Sequence, residues 1–423
     1  MSDPDIEIIG SRAEELQKSP LFRLSLSSNE LFHSNFIHWL LQHPTRKMAL
    51  EAQALFCVLL GVPERKVIKA LREKDHNDLV LLLGKGDKET TRKVIIENKV
   101  KSWRDKDQLG AYSERARQGE ELPLLFVLLS MTVPPEAEDG QPFSDSLGGS
   151  WLFLSYRALD ECFIERLRKV AVKEGEAYLS ALLADYSSMI ATMTRLLEED
   201  LFPAGNGEKT LGTLTPARIR ELSNKLNETC KLNAIFEKGL FERLEGMAAG
   251  IMGKKAATRA IECSRGLDDE DMEKGSLNIS SGYSNSGQKG YLNLVYRCEN
   301  DLVIGVQIEG GQYRHFISNV KKGISVEEYV DSYFDPRRVG ARNVPKRWTA
   351  GAGMELDAPA GNSRYIEYCS FEKKHFLYLH TSIEDKPMSE ILEVAVEDVL
   401  LQAERAAYLV RRSTTLTERP RTR

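Results

Sequence analysis

Asp78 opens one apolar run, Asp78-Leu-Val-Leu-Leu-Leu83, and Glu97 and Lys99 lie at the end of another, Lys93-Val-Ile-Ile-Glu-Asn-Lys-Val100. Side chains alternate along an extended strand, so Ile95, Glu97 and Lys99 share one face of the second run. A glutamate and a lysine at the end of an apolar strand are costly to bury unless they are paired or solvated. If the two runs pair as an antiparallel hairpin, Asp78 and Glu97 converge near one end. Two hard carboxylates and a backbone carbonyl form a partial shell for Mg2+, an ion that keeps several waters. Such an ion lowers the pKa of a bound water and screens charge on a phosphate oxygen. A neighbouring lysine can orient that water, take its proton or stabilise a phosphorane-like transition state. Together these residues have the parts for hydrolysing a phosphodiester.

The elements that must position them can be read from local pattern. Ser27, Ser28 and Asn29 are N-cap candidates for a helix that begins at Glu30 and stops before Pro44. Its apolar residues Leu31, Phe32, Phe36, Trp39 and Leu40 recur at helical spacing, and Glu30, Ser34 and His38 share a more polar side. A second helix is expected from Met48 to Leu60, ending at Gly61 with Pro63 beyond. Strands follow from Val67 to Glu73, from Asp78 to Leu83 and, after a polar turn from Gly84 to Arg92, from Lys93 to Val100. A charged helix from Asp105 to Arg117 precedes a fully apolar strand, Leu122 to Leu129, of the kind buried on both faces. A polar loop from Pro134 to Gly149 leads to a strand from Trp151 to Tyr156 and helices from Ala158 to Leu197. This order predicts an α/β fold, a mixed sheet flanked by helices.

The charged helix adds Gln108 and Tyr112, four apart and on one face. Both can hydrogen-bond a phosphate or hold a catalytic carboxylate or lysine in place. Glu30 could lend a third carboxylate from the first helix. Each also has a structural reading: an ion pair at a sheet edge for Glu97 and Lys99, a helix-to-sheet tie for Gln108 and Tyr112, and for Glu30 an acid favoured in the first helical turn by the macrodipole. His33 and His38 read as interior or surface helix residues rather than ligands.

With these residues in view, Asn77-Asp78-Leu79 followed by Ile95-Ile-Glu97-Asn98-Lys99 resembles the Asp…Glu-x-Lys signature of the PD-(D/E)XK nuclease superfamily. Gln108-x-x-x-Tyr112 resembles the extra motif of its RecB-type branch, and the helix opening at Glu30 is similar to a group of bacterial proteins of that superfamily. The resemblance covers roughly residues 25–160. It implies a restriction-endonuclease-like fold, and Mg2+ or Mn2+ held by Asp78, Glu97 and the backbone carbonyl of Asn98, with Glu30 added by its helix position alone. It further implies a catalytic Lys99, and nucleic acid as substrate, DNA ahead of RNA, in bacterial defence or DNA processing. The proline that gives the superfamily its name is absent, since Asn77 precedes Asp78.

The rest of the chain bounds this reading. The 423 residues, 42% hydrophobic and 29% charged, suit two or three globular domains. No apolar run reaches the roughly 20 residues that span a bilayer, and the acidic N-terminus is no secretory signal. Six scattered cysteines without a Cys-x-x-Cys argue against structural zinc and a disulfide framework, so a cytoplasmic protein with no membrane partner is expected. A net charge of −5 is unlike that of proteins that coat nucleic acid, so contact with a polyanion must come from a local patch or a metal site.

Residues 1–204 are read as the nuclease-like domain with its helical extension, with a linker starting at Phe202, and 205–410 as a second α+β region. Within the latter, helices are expected from Thr215 to Met252 and from Met388 to Val410, strands between Leu277 and Ile317, and a strand from His375 to His380. A basic tail over 411–423 is expected to be disordered. In the second region Arg337, Arg338, Arg342, Lys346, Arg347 and Trp348 form an acid-free run suited to phosphate contacts and base stacking; a solvated loop explains it equally well. A homo-oligomer, a non-cleaving nucleic-acid-binding module and a ligand sensor that gates the nuclease all stay open.

Overall fold

The computed structural model describes residues 6–26, 30–74, 77–85, 89–100, 106–118, 122–133, 137–202, 211–259, 261–267, 271–284, 289–298, 302–319, 349–350, 354–355, 366–369 and 375–417. The chain divides into two compact units, residues 2–204 with 224–236, and residues 205–223 with 237–423. The division is thus less simple than one cut after residue 204.

The first unit opens with helices α1 (Ile6–Leu16), α2 (Pro20–Ser25), α3 (Glu30–Leu41) and α4 (Arg46–Leu59). Ser19 caps α2: its hydroxyl accepts from the Phe22 amide at 3.1 Å, and Pro20 occupies the first turn, where no intrahelical donor is needed. At the far end of α4, Gly61 turns left-handed at φ +71° and the Val62 amide donates back to the Cys57 carbonyl at 2.9 Å. That six-to-one bond is the helix stop expected from the glycine.

Six strands form the sheet: β1 (Lys66–Lys74), β2 (Asn77–Gly84), β3 (Thr90–Lys99), β4 (Leu124–Ser130), β5 (Pro142–Ser144) and β6 (Ser150–Ser155). Their spatial order is β1-β2-β3-β4-β6-β5. β1, β2 and β3 are an antiparallel meander, β4 runs parallel to both β3 and β6, and β5 closes the far edge antiparallel to β6. β3 starts at Thr90, so the turn before it is shorter than expected, and β5 lies inside the stretch read as loop. The run from Phe126 to Leu129 is buried throughout, as its unbroken apolar pattern requires.

Helix α5 (Lys106–Arg117) covers one face, where Leu109 joins Ile95, Phe126, Leu128, Trp151 and Phe153 in one core cluster. On the other face α3 and α4 pack on the meander, and α4 also meets α7 (Glu165–Lys173), which runs on from the short α6 (Tyr156–Leu159) through a π-helical turn, Asp160–Ile164. Helix α8 (Ala177–Arg195) packs on α6 and α7. The result is the mixed sheet between helices that the sequence predicts.

The second unit is built on a seven-stranded sheet with the order β14-β15-β11-β10-β9-β8-β7. Its members are β7 (Cys263–Arg265), β8 (Leu277–Ser284), β9 (Lys289–Arg297), β10 (Leu302–Glu309), β11 (Gln312–Asn319), β14 (Ile366–Cys369) and β15 (His375–Ser382); β12 (Thr349–Ala350) and β13 (Met354–Glu355) pair separately. The helix Met388–Thr417 packs on β9 and β10. It does not end at Val410 as expected. No glycine or proline interrupts the sequence before Pro420, so nothing local stops it there. The basic run Arg337, Arg338, Arg342, Lys346, Arg347 and Trp348, the linker residues 203–209 and the last six residues lie outside the described residues. No helix among the described residues is long and apolar enough to cross a membrane.

Candidate active site

The hairpin register puts the two acids together. Leu79 pairs with Ile96 at the last rung of the ladder, and the next residues along the two antiparallel strands are Asp78 and Glu97. Residues opposite one another in such a pair lie on the same face of the sheet. Beyond Leu79 the ladder gives way to a side-chain contact: the Asn98 amide donates to Asp78 Oδ2 at 2.8 Å. Asp78 is thereby fixed to the backbone of the segment that carries Glu97 and Lys99.

On that face Lys99 Nζ lies 2.9 Å from Glu97 Oε1 and donates to Gln108 Oε1 at 3.0 Å. Gln108 Nε2 in turn donates to the Tyr112 hydroxyl at 2.8 Å. The spacing of one helical turn on α5 thus extends the row Glu97–Lys99–Gln108–Tyr112 from the end of β3 up the covering helix. The Tyr112 hydroxyl is pushed above its ordinary pKa, by burial first and then by the negative charges of Glu97 and, more weakly, Asp78; Lys99 and the Gln108 bond pull the other way. Both carboxylates therefore act on the α5 side of the sheet.

Glu97 and Lys99 are 4% and 8% exposed, whereas Asp78, Gln108 and Tyr112 are partly exposed. An ion pair held that deep loses much of its attraction to desolvation and is weak as a stabilising device. Its retention at the end of an apolar strand fits a chemical use better than a stability one.

The donor set suits a hard divalent ion. Asp78 and Glu97 supply carboxylate oxygens from adjacent strands, and alternation turns the Asn98 amide and carbonyl to the β2 side, toward Asp78. The Lys99 carbonyl turns to β4 instead, where it accepts from the Met131 amide at 2.8 Å. Among the described residues no three His, Cys, Asp or Glu side chains gather in a metal-holding group. Two acids with a carbonyl match Mg2+, which fills its remaining positions with water, better than Zn2+. Glu30 begins α3, and its side chain lies outside the described residues.

Three sets of side-chain contacts escaped the sequence reading. The Asn98 side chain points through the sheet to the α3 side, where Nδ2 donates to Ser34 Oγ at 3.1 Å and Oδ1 accepts from the Tyr156 hydroxyl at 2.6 Å. His33 is fully buried, with Nδ1 2.9 Å from the Tyr186 hydroxyl, which accords with an interior histidine. Asp145, inside the expected loop, accepts from Ser113 Oγ at 2.7 Å, the Gly149 amide at 2.7 Å, the Leu147 amide at 2.9 Å and Trp151 Nε1 at 3.0 Å, and so ties α5 to the β5–β6 turn. The polarity of Asn98, on the strand face that carries Val94 and Ile96, was the one available signal for the first; the others depend on contacts remote in sequence.

Comparison with known proteins points the same way. No curated protein and no solved structure matches the chain. A family model described as the PD-(D/E)XK nuclease superfamily matches residues 21–188, the segment that runs from α2 into α8 and holds the whole row. Residues 21–188, with their mixed sheet between helices, are thus similar to the PD-(D/E)XK nuclease superfamily.

Proposed function

We propose that the protein is a metal-dependent nuclease that hydrolyses phosphodiester bonds, with Asp78, Glu97 and the Asn98 carbonyl holding Mg2+ or Mn2+ and Lys99 acting on the attacking water. One observation carries the reading: Glu97, Lys99, Gln108 and Tyr112 form one hydrogen-bonded row that starts where Asp78 meets β3. When bound, the ion supplies a water of lowered pKa and a counter-charge for the phosphate.

The protein groups do the rest. Glu97 and Gln108 hold the Lys99 ammonium at a fixed point beside the carboxylates, so its charge needs no reorganisation as negative charge grows on the phosphate. Tyr112 braces Gln108 from the next turn of α5. DNA is taken as the substrate because the superfamily acts chiefly on DNA, and a role in bacterial defence or DNA processing follows by the same analogy. A carboxylate on the more polar side of α3, Glu30, is a candidate additional ligand.

The test is to incubate the purified protein with plasmid, linear duplex, single-stranded DNA and RNA, each with Mg2+, Mn2+ or a chelator. Metal-dependent cleavage of DNA that the chelator abolishes is the expected result. Cleavage of none of the four, with metal binding intact, would favour a non-cleaving binding module.

A further inference from the structure

Position 98 follows Val94 and Ile96 on one face of its strand, and all three are at most 2% exposed. An apolar side chain there would complete the core. An asparagine instead brings amide groups that must each find a partner. The fold provides them from two separate elements, Ser34 on α3 and Tyr156 at the start of α6. Behind Tyr156 the row continues through the hydroxyl of Tyr186, which Tyr156 contacts by a hydrogen bond, to His33 Nδ1. Tyr156, Tyr186 and His33 are no more than 1% exposed, and their rings pack on one another, with His33 5.5 Å from Tyr156 and 5.7 Å from Tyr186. With His33 donating from Nδ1, each hydroxyl can donate onward to the Asn98 carbonyl oxygen, an order in which the bonds reinforce one another.

The position of this row in the sheet gives it leverage. The β2 ladder ends at the Leu79–Ile96 pair, and beyond it the Asn98 amide donates to Asp78, while β4 holds the other side as far as Lys99. The rotation of residue 98 about the strand axis therefore sets three things at once: the contact with Asp78, the direction of its own carbonyl, and the outward angle of Glu97 and Lys99. A directional pair of hydrogen bonds fixes that rotation; apolar packing does so far less sharply.

We propose that the Asn98 side-chain amide, gripped from the far face of the sheet by Tyr156 and Ser34, sets the backbone orientation of Glu97-Asn98-Lys99, which makes Tyr156 and Ser34 positioning residues for the site. The inference rests on the nuclease reading given above. It assigns a reason for two buried polar side chains, Tyr156 and Ser34, that meet Asn98 on the face of the sheet opposite Glu97 and Lys99.

The test uses the full chain and the variants Tyr156→Phe and Ser34→Ala, with three measurements: hydrogen exchange of the Asn98 amide, calorimetric Mn2+ titration, and cleavage kinetics. In Tyr156→Phe the Asn98 amide should exchange about tenfold faster while the Met131 amide is unchanged, Mn2+ should bind about tenfold more weakly, and kcat should fall about tenfold with KM nearly constant. Ser34→Ala, the milder change, should shift the same three quantities in the same direction. If thermal stability drops but exchange at Asn98, Mn2+ affinity and kcat stay at wild-type values in both variants, the residues are structural and the proposal is overturned. If the wild-type protein neither binds Mn2+ nor cleaves, the nuclease reading fails instead, and unaltered exchange at Asn98 in Tyr156→Phe would separately sink the positioning role.

Discussion

Each unit of the chain holds a polar network built around a carboxylate, and the two networks meet solvent differently. In the second unit the Tyr313 hydroxyl donates to Asp398 Oδ2, His315 Nε2 lies 3.0 Å from the same oxygen, and Gln402 Nε2 lies 2.7 Å from His315 Nδ1. None of the four is more than 3% exposed. They join β11 to the long terminal helix and leave no approach for a substrate. In the first unit the row from Glu97 to Tyr112 ends on partly exposed side chains, and Asp78 beside it is partly exposed too. Composition does not separate the networks, since each combines an acid, a tyrosine, a glutamine and a basic side chain. Access does: a sealed network is a strut, and one that opens at the end of a sheet can do chemistry.

Mutation should separate them most strongly at the ionic residues. Lys99→Ala or Glu97→Ala should lower cleavage per folded molecule by about 10²–10⁴-fold, beside the stability cost of removing one charge of a buried pair. Asp398→Ala should spare cleavage. It leaves the Tyr313 hydroxyl and His315 without their shared acceptor, so chemical denaturation should register a loss of about 1–3 kcal/mol or more, with cleavage per folded molecule unchanged. Cleavage lost equally in both sets would erase the distinction. Gln108→Ala removes one of the groups that fix Lys99 and should cost about tenfold in kcat.

A smaller effect, in pH dependence, distinguishes two further acids of the first unit. Burial pushes the Asp160 carboxyl up to about 6, helped by Glu165 and Glu161 and opposed by the Ser187 hydroxyl and Arg168. Its folded pKa lies above the unfolded value, so the stability it contributes is present below about pH 4 and is lost as pH rises through 6. Asp145 has the opposite sign. Burial raises it, but donors from Ser113, Gly149, Trp151 and Leu147 together outweigh that and hold it below the usual carboxylate range. Its stability is present above the unfolded pKa and is lost as pH falls through the folded one. Melting temperatures should therefore show Asp160→Asn gaining on the wild type between about pH 4 and 7, and Asp145→Asn trailing it most at pH 7.

The row in the first unit was legible in the sequence because it is made of local patterns. Alternation in β3 put Glu97 and Lys99 on one face, helical spacing aligned Gln108 with Tyr112, and the apolar run after Asp78 supplied the partner strand. The parts that were not legible depend on distant contacts. Pro142–Ser144 has too few residues to display a strand period, and it exists because β6 pairs with it. The π-helical turn at Asp160–Ile164 leaves no compositional mark. The partners of Asn98 come from Ser34 and Tyr156, on either side of it in the chain and far from it, so only the folded sheet brings them together. The terminal helix was cut short at Val410 because its charged residues read as a tail, although no helix breaker precedes Pro420.

The central claim is that Asp78 and Glu97 grip one divalent ion beside Lys99. Calorimetric titration of Mn2+ into the wild-type protein, Asp78→Ala and Glu97→Ala tests it most directly. One bound ion in the wild type and no heat of binding in either variant is the expected result. Equal binding in all three proteins, or none in the wild type at millimolar metal, would contradict it.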